Sequence, residues 1–432
     1  MITREDIENL KPFQSRSIIE SLRKGTVPVD FVPLFTVGRT NWLSFIEDDL
    51  DNYIAQGGAK VRFISGDYGD GKTHFMSVVR HMALAKGFAV SFVVLTREVP
   101  IHKFEIVYQS VVRELRGNFE GMGIRALLTA WLDQVGRTDV GDPGEKGERA
   151  RFDLGREFQD MQGMDINFAN ALLSLVNNRF APLDDEHGDD LESRRETLLH
   201  WFEGGRVPKK DLKPLQIYEF LTKTNSKQFL NSLILFLRYI GHKGMILLFD
   251  EMETVIAQSA SIRSAAYENT RLLIDNSESS SFLHIFFSII PDVLISEKGF
   301  KSYDALWSRV RSIGEGESLN YRGVLVDIHR TPLTTDELVE LGRILRSIHG
   351  SSYRWSAHES VTDELIEEIC TNQKRMGVLS EVRLFIKQLI RVLDMAEQGR
   401  PVEEMDMQKE IVDARREMEA EKVEQLQPSW DS

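Results

Sequence analysis

The stretch that decides the fold is Gly66-Asp67-Tyr68-Gly69-Asp70-Gly71-Lys72-Thr73, here called the phosphate loop. It has a glycine, four variable residues and then Gly-Lys-Thr, a pattern whose glycines let backbone N–H groups approach phosphate oxygens. The apolar run VRFIS before it has the length of a buried strand, and HFMSVVRHMALAKG after it has helical periodicity up to Gly87. A strand, a phosphate loop and a helix in this order predict a P-loop nucleotide-binding fold.

The residues of this segment have distinct expected parts in binding ATP and Mg²⁺. Lys72 reaches the β and γ phosphates, the Thr73 hydroxyl ligates Mg²⁺, and the helix N-terminus adds a positive dipole. Asp67 and Asp70 bring negative charge close to a polyphosphate, so we expect their carboxylates to point outward or toward the metal. The predicted ATP-binding segment consists of Gly66, Asp67, Tyr68, Gly69, Asp70, Gly71, Lys72, Thr73 and His74.

A second motif, MILLFDEMET at residues 245–254, complements the phosphate loop. Its apolar run predicts a buried strand that presents Asp250 and Glu251 at its carboxyl end, where ligands of open α/β sheets bind. We expect Asp250 to hold the magnesium shell and Glu251 to orient and deprotonate the attacking water. Glu253 is the alternative base, and solvated acids at a strand end are the simpler interpretation. We call Asp250 and Glu251 the acidic pair.

Three further polar residues follow the acidic pair along the chain. Ser288, near the end of the predicted strand FLHIFFSII, either hydrogen-bonds the γ phosphate or the water, or is a buried serine with its own partners. Arg309 and Arg311 lie in the helical stretch ALWSRVRSI. Either is a candidate arginine finger that acts on ATP bound by a neighbouring subunit, and solvated arginines are the alternative.

Composition describes a folded soluble chain of 432 residues, with 42% hydrophobic and 28% charged residues. The single cysteine, Cys370, excludes an internal disulfide and fits a reducing compartment. No apolar run approaches the roughly 20 residues of a membrane span, so we expect a cytoplasmic protein. The net charge of −14 argues against coating nucleic acid with the whole surface, and the basic pairs Lys209-Lys210 and Lys374-Arg375 give only limited support for DNA contact.

The pattern along the chain predicts an α/β fold with a parallel sheet, a helical insertion and a C-terminal helical lid of winged-helix-like type. Strand signals at AVSFVVL, MILLFD, FLHIFFSII and GVLVDI each lie beside a helical stretch. The predicted segments are residues 1–57 as a helical adenine-side segment, 58–330 as the ATPase core with its insertion at about 115–233, 331–400 as the lid, and 401–432 as an acidic tail.

The predicted lid has recognisable helix starts and one basic face. Thr334 stands three residues before Glu337, and Ser360 three before Asp363, both in the capping-box pattern. Arg383, Lys387 and Arg391 are spaced four apart on one helix face. We expect Lys387 and Arg391 to be solvated and Arg383 to reach back to the phosphates. The ten histidines form no metal-like pairing with cysteine, so the sequence predicts no zinc site.

The segment FTVGRTNWLSFIEDDL, residues 35–50, resembles the adenine-side segment of AAA+-like ATPases of the origin-recognition and signalling groups. In those proteins the order is this segment, Walker A, Walker B, a polar sensor residue, an arginine finger and a lid arginine. The resemblance implies that Gly38 and Arg39 contribute to nucleotide binding. Every later motif in the order has a candidate here.

A narrower resemblance covers about residues 15–394. The stretch SRSIIESLRKGTVPVDFVPLFTVGR, followed by GDYGDGKT and LLFDEMET, is similar to ATP-binding proteins of BREX bacteriophage-exclusion systems, of the BrxD type. The resemblance implies a bacterial phage-defence ATPase that is encoded beside a helicase and other defence components and acts on DNA.

Two classes of function compete on these grounds. In the first, an ATPase closes its lid on nucleotide, assembles as a homo-oligomer and passes the change to DNA or to a DNA-processing partner such as a helicase. In the second, ATP assembles an oligomeric scaffold with negligible turnover, which the same fold also supports. A small-molecule kinase is a third reading, which the lid and the candidate finger disfavour.

Overall fold

The computed structural model describes residues 7, 9–181, 188–276, 281–311, 319–377, 381–400, 409, 412, 413, 415 and 416. The predicted acidic tail at 401–432 lies outside the described residues except for the last five of these positions. Within this part of the chain, no helix has both the length and the apolar character that a membrane span requires.

Helices form most of the regular structure. The helix predicted directly after the phosphate loop is present and begins at Lys72. The α-helices are α1 Pro12–Arg23, α2 Thr40–Asn52, α3 Lys72–Ala85, α4 Phe104–Arg113, α5 Gly123–Val135, α6 Glu145–Asp160, α7 Ile166–Arg179, α8 Gly188–Phe202, α9 Lys209–Leu212, α10 Ser226–Tyr239, α11 Ala260–Asn276, α12 Pro291–Ile295, α13 Asp304–Val310, α14 Thr335–Tyr353, α15 Ala357–Ser360, α16 Asp363–Arg375 and α17 Val382–Glu397.

Six strands of the described chain form one sheet, in the order β3-β2-β4-β5-β1-β6. β2 pairs in parallel with β4, and β4 with β5, whereas the two-residue β3 pairs with β2 in antiparallel orientation. The strands are β1 Ala59–Ser65, β2 Ala89–Val94, β3 Leu115–Arg116, β4 Met245–Asp250, β5 Leu283–Ile289 and β6 Leu325–Asp327. The predicted α/β class with a mostly parallel sheet is therefore confirmed.

The central strands are apolar on both faces, as strands covered on both sides must be. All residues of β4 and of β5 are buried. The register sets Leu247 opposite Ile285, and Phe249 opposite Phe287, whose rings stack with centroids 5.1 Å apart. This apolar pairing holds the carboxyl ends of β4 and β5 side by side, where Asp250 and Ser288 lie.

The chain divides into two compact units. The phosphate-loop unit comprises Met1–Phe45, Ile64–His81 and Val326–Ser432, and the sheet unit comprises Ile46–Phe63 and Met82–Leu325. The chain passes between them within α2, β1, α3 and β6. The compact units thus group the N-terminal segment, the phosphate loop and the C-terminal helices, which are far apart in the linear sequence.

An apolar cluster explains this grouping in the phosphate-loop unit. Buried residues of α1, such as Ile18 and Ile19, pack in one core with Leu338 and Leu345 of α14 and with residues of α16 and α17. α1 and α14 both bury a helical stripe of this kind, and neither helix could bury it alone. Arg23 of α1 adds an ion pair with Asp394 of α17, at 2.7 Å between Nη2 and Oδ1.

The helices between β3 and β4 belong to the sheet unit and extend its core. Trp131 of α5 contacts Phe236 of α10 edge to face, with ring centroids 5.0 Å apart. Trp201 of α8 contacts Phe229 of α10 with centroids 5.1 Å apart. These residues form one buried cluster with strand residues such as Phe249 and Phe287. The insertion is therefore packed through α10 onto the same apolar core as the sheet.

Two details of the C-terminal helices test the predicted capping and solvation. Thr334 caps α14 as predicted, with its N–H 2.7 Å from the Glu337 carboxylate and its hydroxyl accepting from the Glu337 N–H at 3.2 Å. The second capping prediction is wrong: Thr362 caps α16, because Ser360 already ends the short helix α15. The expected solvation of Lys387 is also wrong. Only 8% of Lys387 is exposed, because α17 packs against α1, α14 and α16.

Within the sheet unit, a buried ionic network joins α2 to β1. The Asp49 carboxylate accepts from Lys60 at 2.8 Å and from Arg62, whose side chain is fully buried. Arg62 also donates to the Tyr321 carbonyl at 2.9 Å. Removing one partner of a buried pair is costly, because the other charge remains buried without compensation.

We predict that Asp49→Ala lowers the free energy of unfolding by about 3–5 kcal/mol, because it leaves Arg62 buried without its carboxylate. Chemical denaturation measures this loss. The matched control is Glu196→Ala, which removes an exposed ion pair with Arg125 and should cost less than about 1 kcal/mol. Equal losses for the two variants would contradict the structural role given to Asp49.

Candidate functional site

The phosphate loop adopts a backbone conformation that depends on its glycines. Gly69 and Gly71 have φ of +94° and +92°, in the left-handed region that residues with a Cβ rarely adopt. At Gly66 a Cβ would lie 2.7 Å from the Ile328 side chain, so this position has no room for a larger residue. The three glycines of the predicted motif are thus required for two different reasons, conformation and close approach.

Lys72 holds the beginning of the loop. Its Nζ donates to the Gly66 carbonyl at 2.8 Å and to the Asp67 carbonyl at 3.2 Å, and it lies 5.2 Å from the Tyr68 ring centroid. The side chain is buried, with 8% exposed. A lysine ammonium in this position directs loop carbonyls toward itself and supplies a positive charge at the centre of the loop.

Other groups of the phosphate-loop unit bind two further carbonyls of the loop. The Gly69 carbonyl accepts from the Arg383 backbone N–H at 3.2 Å, and the Asp70 carbonyl accepts from Arg39 Nη2 at 3.1 Å. The N–H groups of Gly69 and Gly71 have no hydrogen-bond partner among the residues that the structure describes. Carbonyls of the loop are thus held by groups from three different parts of this unit.

Asp67 and Asp70 behave differently from each other. Asp70 is buried, and its carboxylate accepts from the Asp67 N–H at 2.8 Å and lies 3.0 Å from His329 Nδ1. Asp67 is exposed, with its carboxylate 3.5 Å from the same nitrogen. The hydrogen bond to Asp70, followed by the charges of Asp70, Asp67 and Asp327, raises the pKa of His329. The expected outward orientation therefore fits Asp67, whereas Asp70 points to a histidine.

Arg39 connects the adenine-side segment to this loop. Besides the Asp70 carbonyl, its guanidinium donates to the carbonyls of Ile328 at 2.6 Å and Thr331 at 2.7 Å. Gly38 and Arg39 both have a left-handed backbone conformation, with φ of +65° and +59°. At Gly38 a Cβ would lie 2.6 Å from the Glu337 carboxylate. The sequence-based expectation of nucleotide contact by Gly38 and Arg39 stays a prediction, and the geometry adds a supporting role for Arg39.

His74 packs inside the phosphate-loop unit at the first turn of α3. Its Nε2 lies 3.0 Å from the Thr36 hydroxyl, and its ring is 5.2 Å from that of Phe35. Burial, with a smaller contribution from the charge of Arg39, lowers the pKa of His74 to about 4. His74 is therefore neutral at pH 7 and links α3 to the adenine-side segment.

The Arg383 side chain packs against Gly25 at the end of α1. A Cβ at Gly25 would lie 2.5 Å from Arg383 Nη2, and Gly25 has φ of +70°. Together with the backbone bond to Gly69, this contact places the start of α17 at the phosphate loop. The helix containing Arg383 begins at Val382.

In the sheet unit, the structure brings the acidic pair and Ser288 together. The Ser288 hydroxyl donates to the Asp250 carboxylate and accepts from the Glu251 N–H at 3.0 Å. The Glu251 N–H also lies 3.0 Å from Asp250 Oδ1. Asp250 and Ser288 are buried, whereas Glu251 is exposed and Glu253 is half-buried. The serine thus fixes the carboxylate of Asp250 and is a buried serine with its own partners, whereas its expected contact with the γ phosphate or the water stays a prediction.

Glu251 has an unusual backbone conformation. Its φ and ψ are 60° and 40°, in the left-handed region, and it precedes the 3-10 turn Met252–Val255. This conformation costs a non-glycine residue about 1–2 kcal/mol and persists only where surrounding contacts fix it, which is common at functional sites. The bonds from its N–H to Ser288 and Asp250 are such contacts.

The two candidate finger arginines have different surroundings. Arg309 of α13 pairs with Asp275 of α11, at 3.0 Å between Nη2 and Oδ2, and Asp275 also pairs with Arg271. Arg311, the residue after α13, is exposed. A finger role for Arg309 requires it to leave Asp275, and the assignment of either arginine stays a prediction.

Sequence reasoning missed His329 as a residue of this site. It directly follows the predicted strand GVLVDI, at a strand end where polar side chains often meet ligands. That position was the available signal, but its pairing with Asp70 depends on the fold. The supporting role of Arg39 was missed for the same reason, since its partners at Ile328 and Thr331 are almost 300 residues away in sequence.

We predict that Arg39→Gln weakens Mg-ATP binding by roughly tenfold or more, because each hydrogen bond from a charged donor is worth about 1.5–3 kcal/mol. Isothermal titration calorimetry measures the affinity. Arg343→Gln is the matched control, since Arg343 is half-exposed and pairs with Asp363 rather than with the loop. Unchanged affinity in Arg39→Gln would show that the loop does not depend on this guanidinium.

Comparison with known proteins identifies the family. The model of the family described as BREX system ATP-binding protein BrxC/D matches residues 10–412. No curated protein and no solved structure gives a significant match. The family match covers both the phosphate loop and the acidic pair, and it confirms the resemblance inferred from the sequence. The chain therefore belongs to the BrxC/D family of BREX system ATP-binding proteins.

Proposed function

We propose that this protein binds Mg-ATP at the phosphate loop, hydrolyses it with the acidic pair, and couples its nucleotide state to DNA or to a DNA-processing partner in anti-phage defence. The observation that carries the proposal is the conformation of the loop, whose carbonyls are bound by Lys72, Arg39 and the Arg383 N–H. The family is an ATP-binding component of a defence system, which supports the same assignment.

The nucleotide would be held by backbone donors and by Lys72. The N–H groups of the loop and the N-terminus of α3 suit the β and γ phosphates, and Lys72 exchanges its loop carbonyls for phosphate oxygens. The Thr73 hydroxyl and the Asp250 carboxylate would hold Mg²⁺, and their oxygens are the ligand type this ion takes. Bound Mg²⁺ would neutralise charge on the β and γ phosphates.

The two sequence motifs support a joint role for these residues. β1 ends at Ser65, directly before the loop, and β4 ends at Asp250. A single strand, β5, stands between β1 and β4 in the sheet, and it carries Ser288. Ligands of open α/β sheets bind at the carboxyl ends of the strands. From the two motifs, each at the end of a strand, we infer that Lys72 and the acidic pair act on one triphosphate.

Glu251 is the proposed general base. Its exposed carboxylate suits contact with a water molecule better than the half-buried Glu253 does. In the proposed step, water attacks the γ phosphorus in line with the leaving oxygen, Glu251 accepts the proton, and the bond to ADP breaks to release inorganic phosphate. Ser288 keeps Asp250 and the Glu251 backbone in place during this step.

The remaining elements would transmit the nucleotide state. Arg383 lies in the first turn of α17, at the phosphate loop. A γ phosphate would attract its guanidinium away from Gly25 and so move the helix.

Arg309 or Arg311 would act on ATP of a neighbouring subunit in a homo-oligomer. Exposed lysines at Lys209 and Lys210 are candidate contacts for DNA phosphates, and a helicase or another defence component is the proposed partner.

We predict that Lys72→Ala abolishes ATP binding and that Glu251→Gln binds ATP but loses about 10²–10⁴-fold in turnover, the usual contribution of a general base. Binding is measured by calorimetry and turnover by release of inorganic phosphate in the presence of Mg²⁺. Glu253→Gln is the matched control and should retain activity within a few-fold.

Wild-type turnover by Glu251→Gln would remove Glu251 as the base, and loss of activity in Glu253→Gln alone would assign the role to Glu253. If the wild type binds ATP without releasing phosphate but changes oligomeric state between ADP and a non-hydrolysable ATP analogue, the scaffold reading replaces the ATPase. These outcomes are distinct because binding, turnover and assembly are measured separately.

A further inference from the structure

We propose that His329 is a positioning residue of the phosphate loop, acting through Asp70, and that its protonated form strengthens nucleotide binding. This inference rests on the proposed ATP site. It concerns a side chain that neither the P-loop pattern nor the expected catalytic chemistry requires, and it explains how a loop with two aspartates accepts a polyphosphate.

The geometry places His329 as a link between β6 and the loop. β6 ends at Asp327, and the Ile328 N–H donates to the Ser65 carbonyl at 2.9 Å, which fixes the backbone beside His329. His329 Nδ1 lies 3.0 Å from Asp70 Oδ2, and that same oxygen accepts from the Asp67 N–H at 2.8 Å. The imidazole therefore orients a carboxylate that itself shapes the loop backbone.

The charges around His329 are mainly negative. Asp67 and Asp70 of the loop and Asp327 of β6 face it, and each favours the imidazolium form. Two basic side chains also lie near this group: the Arg39 guanidinium donates to the carbonyl of Asp70 and its charge acts on the Asp70 carboxylate, and Lys72 donates to the carbonyls of Gly66 and Asp67. His329 Nδ1 contacts the Asp70 carboxylate itself, at 3.0 Å.

Protonation changes the electrostatics that a polyphosphate meets. Two aspartates beside the loop repel a ligand of several negative charges, and an imidazolium between them offsets part of that repulsion. A neutral imidazole keeps one N–H donor for Asp70 but loses the positive charge. The protonated side chain therefore both holds the loop and lowers the cost of bringing phosphates to it.

The direction of the pH effect follows from the raised pKa of His329, whose ordinary value is 6.5. In the folded protein His329 is therefore protonated at low pH, and it loses its charge as the pH rises through this raised value. ATP affinity should therefore fall with rising pH. Since His329 is half-exposed and its ion pair is screened by solvent, we expect an affinity change of up to about fivefold.

The test compares the pH profile of Mg-ATP affinity in the wild type, His329→Asn, His329→Ala and Asp70→Asn, by calorimetry from pH 6 to pH 9. The asparagine amide replaces the Nδ1–H donor without titrating, so this variant also corrects for titration of ATP itself. We expect wild type to bind up to about fivefold tighter than His329→Asn at pH 6 and equally at pH 9. His329→Ala should bind more weakly than His329→Asn at every pH, and Asp70→Asn should lose the extra pH dependence.

Parallel profiles for wild type and His329→Asn would overturn the inference while leaving the ATP site intact. Absence of ATP binding by the folded wild type at every pH would instead overturn the proposed function. A bound cation is the alternative cause of a pH effect, because the ligand atoms of Asp67, Asp70 and His329 lie within 4.8 Å of one another. Each titration is therefore repeated with EDTA-treated protein and a defined Mg²⁺ concentration. A pH effect that disappears after this treatment and returns with added Zn²⁺ would assign the cluster to a cation and also overturn the inference.

Discussion

The structure of the phosphate-loop unit depends on the hydrogen bonds that hold the carbonyls of the phosphate loop. The loop carbonyls are held by Lys72, by Arg39 from the adenine-side segment and by the N–H of Arg383 from the C-terminal helices. Each of these groups comes from a different part of the sequence. The N-terminal and C-terminal helices share one apolar core, and this core holds both sets of groups beside the loop.

The sheet unit holds the acidic pair in a defined orientation at the end of β4. Apolar pairing of β4 with β5 sets Ser288 beside Asp250, and the hydroxyl then connects Asp250 to the backbone of Glu251. The left-handed conformation of Glu251 is stabilised by the same contacts. One buried serine thus orients a proposed metal ligand and a proposed base, which hydrolysis needs in fixed positions.

The sequence predicted the features that short local patterns encode, and it did not predict the contacts between residues far apart in the chain. The phosphate loop, the main strands and the Thr334 capping box are encoded in short patterns, and the structure contains each of them. The Asp70–His329 pair joins residues 259 apart, and the burial of Lys387 depends on packing of α17 against other helices. No local pattern carries such information. The cap of α16 was predicted at Ser360 but is Thr362, because Ser360 is the last residue of the short helix α15.

The central claim is that Thr73 and Asp250 ligate one Mg²⁺ bound to ATP, and a double-mutant cycle tests it most directly. Mg-ATP affinity is measured by calorimetry for the wild type, Thr73→Val, Asp250→Asn and the double variant. Ligands of one ion are coupled, so the account predicts a coupling energy of about 0.5–3 kcal/mol, with the double variant little weaker than the weaker single one. Losses that add to within about 0.5 kcal/mol would contradict the account, because they would show that the two residues act at independent sites.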